Sequence, residues 1–356
     1  MPVSKQHFGT THDGFPVECY SLSNNNGLEA RIMTYGATLL SLNVPDRAGN
    51  FTDVILGFDT LEPYIEEHPY FGGIIGRYAN RIARGLFRID ETTYRLSINN
   101  GPNHLHGGKC GFDRRIWNAH AEEKTTGPQL TLDYFSPHGE EGYPGNLQAE
   151  VRYTLTHENE LRLDYRAETD APTIINLTNH AYFNLAGKGL VLDHQLRLIA
   201  EHFLPVDETL IPTGDYAHVA DTPMDFRRAA AIGASLDTGN EQLRRANGGY
   251  DHNWILTKNH ENICTLAAEV TEPLSGRQML VYTTQPGIQF YSGNFLDGTL
   301  KGKDGTAYEK HTGLCLETQH FPDSPNHPAF PSTLLKPAEF YQHTTVYRFG
   351  PDHADG

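Results

Sequence analysis

Two neighbouring segments of the chain alternate apolar and polar residues with a period of two. In Leu147–Thr156, the residues Leu147, Val151 and Leu155 fall on one side, and Leu161–Thr169 repeats the pattern. This period is that of a β-strand with one buried face. The short connection His157–Glu160 predicts that the two strands form an antiparallel hairpin.

Further short strands are predicted along the whole chain, at Leu40–Val44, Leu130–Phe135, Gln195–Leu198, Asn253–Leu256, Met279–Thr283 and Gln289–Ser292. Helix is scarce, and two short helices are predicted at Thr60–Glu67 and Asn240–Ala246. There is no βαβ alternation, no dinucleotide or P-loop glycine motif, no internal repeat and no composition break. We therefore predict an all-β protein, a large antiparallel β-sandwich or supersandwich with a few short helices, with residues 1–356 forming a single domain.

The charge balance excludes several classes of partner. The 356 residues carry a formal net charge of −16, which opposes binding to nucleic acid or to an anionic membrane. No apolar run approaches the roughly 20 residues that span a bilayer, and the first residues contain no signal-like apolar segment. The four cysteines are scattered without CxxC spacing, which favours neither a disulfide framework nor a zinc site. We expect a cytoplasmic protein, either a monomer or a homodimer.

A polar stretch, Asn176–Gly187, follows the β-branched run Pro172–Ile175, which predicts a strand. Buried polar groups need partners, so either an internal network or a ligand must satisfy this stretch. His180 lies in its middle, and histidine is the side chain that titrates near neutral pH without perturbation. Both readings remain open from these residues alone.

Four other stretches are too polar or too rich in Gly and Asn for ordinary core strands. Gly76–Phe87 contains Asn80 and Arg81, which suit hydroxyl or carboxylate oxygens or else belong to a surface Arg cluster. Asn99–Gly108 contains His104 and His106, which share a face in an extended chain. A metal site there lacks a third ligand at suitable spacing, so hydrogen bonding by His106 beside two glycines is the favoured reading, with His104 structural.

The remaining two stretches supply carboxylates. Asp251 lies where a turn enters an apolar strand, either lining a groove or forming an Asx-turn. Glu317 follows Leu-Cys-Leu, and a carboxylate there is costly unless it is paired or functional. Gln289 lies at the head of another strand. One His/Glu pair surrounded by amide and guanidinium groups, with no nucleophile elbow and no cofactor motif, suits proton transfer on a neutral polyhydroxylated ligand.

The same stretches resemble the aldose 1-epimerase, or galactose mutarotase, family. The resemblance rests on Gly76-Arg-Tyr-Ala-Asn-Arg-Ile, Asn103-His-Leu-His-Gly-Gly, Asn176-Leu-Thr-Asn-His-Ala-Tyr-Phe-Asn-Leu, Gly249-Tyr-Asp-His-Asn, Gly287-Ile-Gln-Phe-Tyr and Leu316-Glu-Thr-Gln. These motifs occur in order from about Leu28 to Phe349. The resemblance implies a galactose mutarotase-like supersandwich that interconverts the α and β anomers of free aldohexoses without a metal or other cofactor.

The resemblance also implies roles for individual residues. His180 matches the family's general acid, Glu317 its general base and His106 a second essential histidine that binds the sugar. The positions expected to bind sugar hydroxyls are Asn80, Arg81, Tyr182, Asp251 and Gln289. If they are close, Glu317 as carboxylate and His180 as imidazolium should stabilise each other.

The chain departs from the family's usual pattern at two positions. Tyr78 stands where the family usually has Val, which leaves open a change in groove shape, and His327 stands where Gln is more common.

Three other functions remain as alternatives. A hexose-6-phosphate mutarotase of the same fold would need a cationic pocket, for which Arg77, Arg81 and Arg84 are the candidates. A glycoside hydrolase would use two carboxylates, here Asp251 and Glu317. A non-catalytic sugar-binding sandwich would bind the sugar without changing its anomer ratio.

Overall fold

The computed structural model describes residues 2–66, 68–258 and 263–351. Within these ranges the chain is mostly β. The strands, in chain order, are β1 Val3–Thr10, β2 Pro16–Ser23, β3 Glu29–Met33, β4 Thr38–Pro45, β5 Phe51–Asp53, β6 Ile74–Ile75, β7 Arg81–Ile82, β8 Leu86–Ile89, β9 Thr92–Arg95, β10 His104–Leu105, β11 Asn118–Lys124, β12 Gly127–Ser136, β13 Leu147–Leu155, β14 Glu160–Thr169, β15 Thr173–Ile174, β16 Thr178–Asn179, β17 Gln195–Leu198, β18 Ala200–Leu204, β19 Ala217–His218, β20 Ala230–Ala231, β21 Asp251–Leu256, β22 Thr265–Thr271, β23 Arg277–Thr283, β24 Gly287–Tyr291, β25 Cys315–Gln319, β26 Leu334–Leu335 and β27 Tyr341–Pro351.

Helical segments are short. The α-helices are α1 Glu62–Ile65 and α2 Glu241–Arg245. The 3₁₀ segments are Ala83–Gly85, Phe112–Arg114, Glu140–Gly142, Ile232–Thr238, Lys303–Gly305 and Ser324–Asn326. None of the helices in the described ranges is long and apolar enough to cross a membrane.

Three antiparallel sheets carry the fold. The largest has nine strands in the order β11-β12-β13-β14-β27-β23-β22-β17-β20, and an N-terminal sheet has the order β1-β2-β3-β4-β5. The third, which we call the site sheet, has the order β19-β18-β21-β24-β25. The remaining strands form two-stranded pairs, among them β10 with β7 and β16 with β6.

All three sheets contribute to one apolar core. It contains Tyr153 and Leu163 of the nine-stranded sheet, Leu22 of the N-terminal sheet, and Trp254 and Phe290 of the site sheet. Burying each such large side chain contributes about 1.5–3 kcal/mol. The alternation that predicted strands therefore also determines which face of each sheet packs inward, and it leaves polar residues on the other face of the site sheet.

The predicted hairpin is confirmed, with β13 paired to β14 from Leu147↔Thr169 to Leu155↔Leu161. The predicted strand Gln195–Leu198 is present with the predicted ends, the other predicted strands are present with shifted ends, and the all-β architecture is as predicted. The predicted helix over Asn240–Ala246 is α2, whose first turn is capped by the Asn240 side chain accepting from the backbone N–H of Gln242.

Two predictions of extent were too long. The helix expected over Thr60–Glu67 is reduced to α1, and Glu67 lies outside the described residues. The strand expected over Pro172–Ile175 contains only Thr173–Ile174, because its partner β26 offers two paired residues, Leu334 and Leu335.

Candidate active site

A row of polar side chains crosses the site sheet on the face opposite its apolar core face. Asn253 of β21 pairs with Gln289 of β24, and Gln289 pairs with Glu317 of β25. Because neighbouring residues of a strand point to opposite faces, Trp254 and Phe290 enter the core while these three face away from it. The sheet thus holds a carboxyl group at a buried position, with Glu317 only 2% exposed.

His180 reaches Glu317 from the end of β16. Its backbone is held by hydrogen bonds from its own N–H to the Gly73 carbonyl and from the Gly72 N–H to its carbonyl, each 2.9 Å. The imidazole Nε2 lies 3.7 Å from Glu317 Oε2, and Nδ1 lies 3.6 Å from Cys315 Sγ. A His and a Glu that are distant in sequence therefore meet in one buried place.

Two tyrosine rings hold the imidazole of His180 in orientation. The Tyr182 ring stacks on it with centroids 5.1 Å apart, and the Tyr70 ring stacks at 5.8 Å. Such contacts restrict the ring without using its nitrogens. The expectation that Tyr182 shares the face of His180 agrees with this stacking.

His106 lies near His180 and Glu317, in a loop whose backbone requires glycine at position 107. Its own φ is +51°, and Gly107 follows with φ +83°. A Cβ at Gly107 would lie 1.8 Å from the Gly76 carbonyl oxygen, so no larger residue fits. The backbone at Gly107 therefore packs closely against that of Gly76.

The two histidines of this loop separate, although an extended chain would place them on one face. The left-handed turn at His106 ends β10 and reverses the direction of its side chain. His104 instead bonds the Ser97 carbonyl at 2.7 Å and the Tyr143 hydroxyl at 2.6 Å. The shared-face hypothesis is wrong, and His104 is structural.

The ring nitrogens of His106 have distinct roles. Nδ1 accepts a hydrogen bond of 3.1 Å from the backbone N–H of Asn80, which in the neutral ring leaves the proton on Nε2. One nitrogen or oxygen from each of His106, His180 and Glu317 lies within 4.8 Å of the others, close enough in distance to surround a metal ion. Coordination by Nε2 of His106 would require the opposite tautomer, in which Nδ1–H faces the Asn80 N–H. The arrangement favours His106 as a hydrogen-bond donor.

Arg81 and Asp251 form a second polar group in the same site. Arg81 donates from Nε to Asn100 Oδ1 at 3.1 Å, and its Nη1 lies 3.8 Å from Asp251 Oδ2. Gln289 donates from Nε2 to Asp251 Oδ1 at 2.7 Å. These bonds orient a guanidinium and a carboxylate, groups that bind neighbouring sugar hydroxyls well.

Burial dominates the electrostatics. It raises the pKa of Glu317 well above its ordinary value, and the negative charge of Asp251 raises it further. It lowers the pKa of His180 to about 4 and that of His106 well below its ordinary value. Burial therefore opposes the carboxylate–imidazolium pair expected from the sequence, because loss of solvation favours the neutral form of both groups.

These groups line a cavity of about 1100 Å³. Its wall contains most of the predicted site residues, namely Asn80, Arg81, His106, His180, Tyr182, Asp251 and Glu317. Gln289 lies behind this wall and supports Asp251. Its predicted contact with a ligand stays a prediction.

The two residues at which the chain departs from the family's usual pattern lie away from the cavity wall. Tyr78 is fully buried in a small core, donating to the Phe321 carbonyl at 3.1 Å, so it does not shape the groove directly. His327 lies 3.3 Å from Asp323, whose N–H bonds the Arg81 carbonyl at 2.8 Å.

Three further residues of the cavity wall, Tyr70, Asn100 and Tyr291, were not identified from the sequence. Two of them had a usable signal. Asn100 belongs to a stretch already noted as polar, and Tyr291 shares the face of Gln289 at a spacing of two. Tyr70 had no local pattern, since its position depends on a turn packed against both histidines.

The similarity to known sequences covers all the site residues described above. The family described as Aldose 1-epimerase matches residues 18–348. The chain is 48% identical over 352 residues to galactose mutarotase of Sus scrofa, covering 98% of this chain and 99% of that protein. It is 41% identical over 340 residues to aldose 1-epimerase of Escherichia coli strain K12, covering 95% and 96% respectively.

Solved structures agree with the architecture. A GalM/aldose epimerase homologue from C. elegans superposes with a TM-score of 0.86 at 32% identity, covering 93% of this chain and 98% of that one. Galactose 1-epimerase from Lactobacillus acidophilus NCFM gives 0.86 at 30% identity and covers 99% of both chains. These similarities extend over nearly the whole chain, including the three sheets and the residues that line the cavity.

Proposed function

The chain belongs to the aldose 1-epimerase family and is an isomerase with mutarotase activity, and from this premise we propose that Glu317 and His180 perform its proton transfers. The substrates in this proposal are free aldohexoses such as galactose and glucose. The observation that carries it is the 3.7 Å separation of His180 Nε2 and Glu317 Oε2 inside a polar cavity.

Anomer interconversion needs one base and one acid on opposite sides of the C1–O5 bond. Glu317 removes the proton of the C1 hydroxyl while His180 protonates the ring oxygen, so the C1–O5 bond breaks and an open-chain aldehyde forms. Rotation about C1–C2 exposes the other carbonyl face. Reclosure returns the ring-oxygen proton to His180 and the carboxyl proton to C1–O, which restores the enzyme.

The neutral forms favoured by burial are compatible with this scheme. A protonated Glu317 with a neutral His180 holds the same single proton as a carboxylate with an imidazolium. Moving that proton from Glu317 to His180 produces the reactive pair without uptake from solvent. Donors from bound sugar hydroxyls and from Arg81 then stabilise the carboxylate.

The remaining wall residues bind and orient the sugar in this proposal. His106 donates from Nε2 towards the ring oxygen region, since its Nδ1 is already used as an acceptor. Asn80, Arg81, Tyr182 and Asp251 contact the hydroxyls, and Gln289 acts through Asp251. Fixing the reacting atoms near the acid and base adds to the roughly 10²–10⁴-fold effect of each proton transfer.

Two of the three arginines suggested for a hexose-6-phosphate pocket do not line the cavity, although its wall also contains Lys109, Arg114 and Arg245. Arg77 is buried and donates to the carbonyls of Pro144 and Gly145 at 2.8 and 2.9 Å. Arg84 is exposed and is not part of the cavity wall. Of the three candidate arginines, Arg81 alone lines the cavity among the described residues, and it faces Asp251.

Polarimetry tests the proposal directly. Freshly dissolved α-glucose or α-galactose should reach anomeric equilibrium faster with the protein than without it, and glucose 6-phosphate should respond far less. Glu317→Gln should remove most of the acceleration while leaving the circular dichroism spectrum unchanged. Near-normal turnover by Glu317→Gln would contradict the assignment of the base. Release of reducing sugar from an aryl glycoside would instead support a hydrolase.

A further inference from the structure

Two buried amides near Glu317 have no hydrogen-bond partner among the described residues. Asn253 is 1% exposed and Gln319 is fully buried, and the side-chain oxygen and nitrogen of each are unpartnered. Other buried amides of the protein are bonded. Asn176, for example, donates to two carbonyls and accepts from the His320 N–H. Four unpartnered polar atoms in one place need an explanation.

The two amides lie on the same face of the site sheet, on either side of Gly287. Gly287 pairs with Gln319 of β25 and with Ile255 of β21, and Asn253 lies two residues before Ile255 on the same face of β21. A Cβ at Gly287 would lie 2.6 Å from Asn253 Oδ1 and 3.0 Å from a ring carbon of Phe321. The missing side chain at Gly287 therefore makes room for the Asn253 amide to lie over the strand.

The same face carries the proposed base. Gln319 is two residues beyond Glu317, and Gln289 lies between Asn253 and Glu317 in the register. Gln289 Oε1 and Glu317 Oε2 are also buried and unpartnered. We call the group formed by Asn253, Gly287, Gln289, Glu317 and Gln319 the rear chamber. Except for Glu317, its members are not part of the cavity wall.

Five unpartnered side-chain atoms of Asn253, Gln289 and Gln319 on one face of the site sheet define a polar, not an apolar, interior. Buried polar groups that lack protein partners are typically bridged by ordered water, which makes two to four hydrogen bonds at such a site. A water bound between the amides and Glu317 would donate to the carboxylate, and a donated hydrogen bond stabilises the charged form.

We propose that Asn253 and Gln319 are positioning residues that hold ordered water against the Glu317 carboxyl group and thereby stabilise its ionised form. This inference rests on the proposed role of Glu317 as base. It gives the base a support from residues that are not part of the cavity wall. Burial and Asp251 oppose ionisation of Glu317, so a base in this position needs such donors.

The charge environment of Glu317 otherwise contains few stabilising groups. The ionisable side chains that face it are His180, His106, Asp251, Arg81, Cys315, Tyr182, Tyr291 and Tyr347. Arg81 favours the carboxylate and Asp251 opposes it. The tyrosines and the cysteine remain neutral because burial raises the pKa of each.

The pH profile of turnover tests the inference. Gln319→Met and Asn253→Leu keep side-chain volume and remove the amides. Each should move the acidic limb of kcat upwards by about one pH unit, which is about a tenfold loss on that limb, with KM changed less than twofold. Gln319→Asn retains an amide and should stay within about threefold of the parent.

Thr318→Val is the matched control. Thr318 is as buried as Gln319 and adjacent to it, but it points to the other face and bonds Thr345. It should alter thermal stability without moving the pH profile. An unshifted profile in both amide variants overturns the inference.

A high-resolution crystal structure of the parent protein provides a measurement that does not depend on any variant folding. Ordered water within about 2.7–3.2 Å of Glu317 and of either amide is expected, and a dry rear chamber overturns the inference. The Glu317→Gln variant separates the two levels of the argument. If Glu317→Gln is active, the assignment of Glu317 as base is wrong. If Glu317→Gln is inactive but the pH profiles of the Asn253 and Gln319 variants are unshifted, only the proposed role of the rear chamber is wrong.

Discussion

His180 Nε2 lies 3.7 Å from Glu317 Oε2, too far for a hydrogen bond and close enough for both groups to reach one bound sugar. The carboxyl oxygen on this side has no hydrogen-bond partner among the described residues. The gap between the two groups thus suits a reacting molecule that accepts a proton from one and gives a proton to the other.

Removing both members of this pair should cost little more than removing one, because they act as a unit. We expect His180→Asn and Glu317→Gln each to lower kcat by about 10²–10⁴-fold. The kcat of the double variant should lie within about tenfold of the kcat of the less active single variant. Polarimetric rates on α-galactose provide the measurement. His104→Gln, a buried histidine outside the cavity, serves as control and should retain turnover. Multiplicative losses in the double variant would show independent roles.

His106 should act through its Nε2 proton. In His106→Asn, the side-chain oxygen still accepts from the Asn80 N–H, but no donor remains at the Nε2 position. We expect unfolding free energy near that of the parent and a kcat/KM about 10²–10³-fold lower. Chemical denaturation and polarimetry measure the two quantities. Unchanged turnover in a folded variant would contradict the donor role.

Asn100 should affect binding by holding Arg81. Asn100→Ala removes the acceptor for Arg81 Nε, and a hydrogen bond of this kind is worth about 1 kcal/mol, so KM should rise about fivefold with kcat little changed. Asn118→Ala, which removes an exposed Asn–Asp hydrogen bond, is the control. A rise in KM in both variants, or in neither, would argue against the Arg81 contact.

Gly107 should tolerate no side chain, for a reason that goes beyond its φ of +83°. Gly49 has φ +86° with nothing within 4 Å of an added Cβ, so Gly49→Ala should cost only about 1–2 kcal/mol. Gly107→Ala should cost clearly more, because the new Cβ would lie 1.8 Å from the Gly76 carbonyl oxygen, and it should reduce turnover by displacing His106. Denaturant titration of both variants gives the comparison. Equal costs would mean that the loop relaxes freely.

Stability should fall as the pH drops from about 6.5 towards 4. Burial lowers the pKa of nine histidines, His68, His104, His106, His180, His194, His252, His311, His320 and His343. Between these pH values the histidines are protonated in the unfolded chain but stay neutral in the folded protein. Each such histidine therefore lowers the free energy of unfolding by up to about 1.4 kcal/mol per pH unit.

Two buried carboxyl groups act in the opposite direction. Burial raises the pKa of Asp113 to about 7 and raises that of Glu317, so their contribution to stability increases as the pH falls. Among the described residues, these nine histidines outnumber the two carboxyl groups, so acidification should lower the free energy of unfolding. Urea unfolding at pH 7 and pH 5 measures it, and His218→Asn, which alters an exposed histidine, should leave the difference unchanged. Equal stability at the two pH values would contradict the prediction.

Much of the fold was predictable because sheet packing follows a local rule. The alternation in Leu147–Leu155 specified both the strand and its buried face, and the four-residue connection specified its partner. The candidate site was predictable to the extent that polar residues interrupt this alternation. Glu317 after Leu-Cys-Leu and His180 within an Asn-rich stretch were visible for that reason.

Other features of the site depend on contacts that local patterns do not encode. His104 and His106 separate because a left-handed turn at His106, required by packing against Gly76, intervenes. Tyr70 joins the site through a turn that packs on His106 and His180. The neutral character of the His180–Glu317 pair follows from burial by many distant residues.

The sequence by itself therefore determined the strands, the buried faces and the chemical types gathered in the polar stretches, since each depends on neighbours along the chain. Only the tertiary structure decided which groups meet, how far apart they lie and which proton each ring carries. The Nδ1 of His106 is an acceptor because the Asn80 N–H lies 3.1 Å away, and the charge of Glu317 is disfavoured because burial removes the carboxyl group from bulk solvent. Hydrogen-bond geometry and solvation depend on the whole packed structure, and these properties assign the roles within the site.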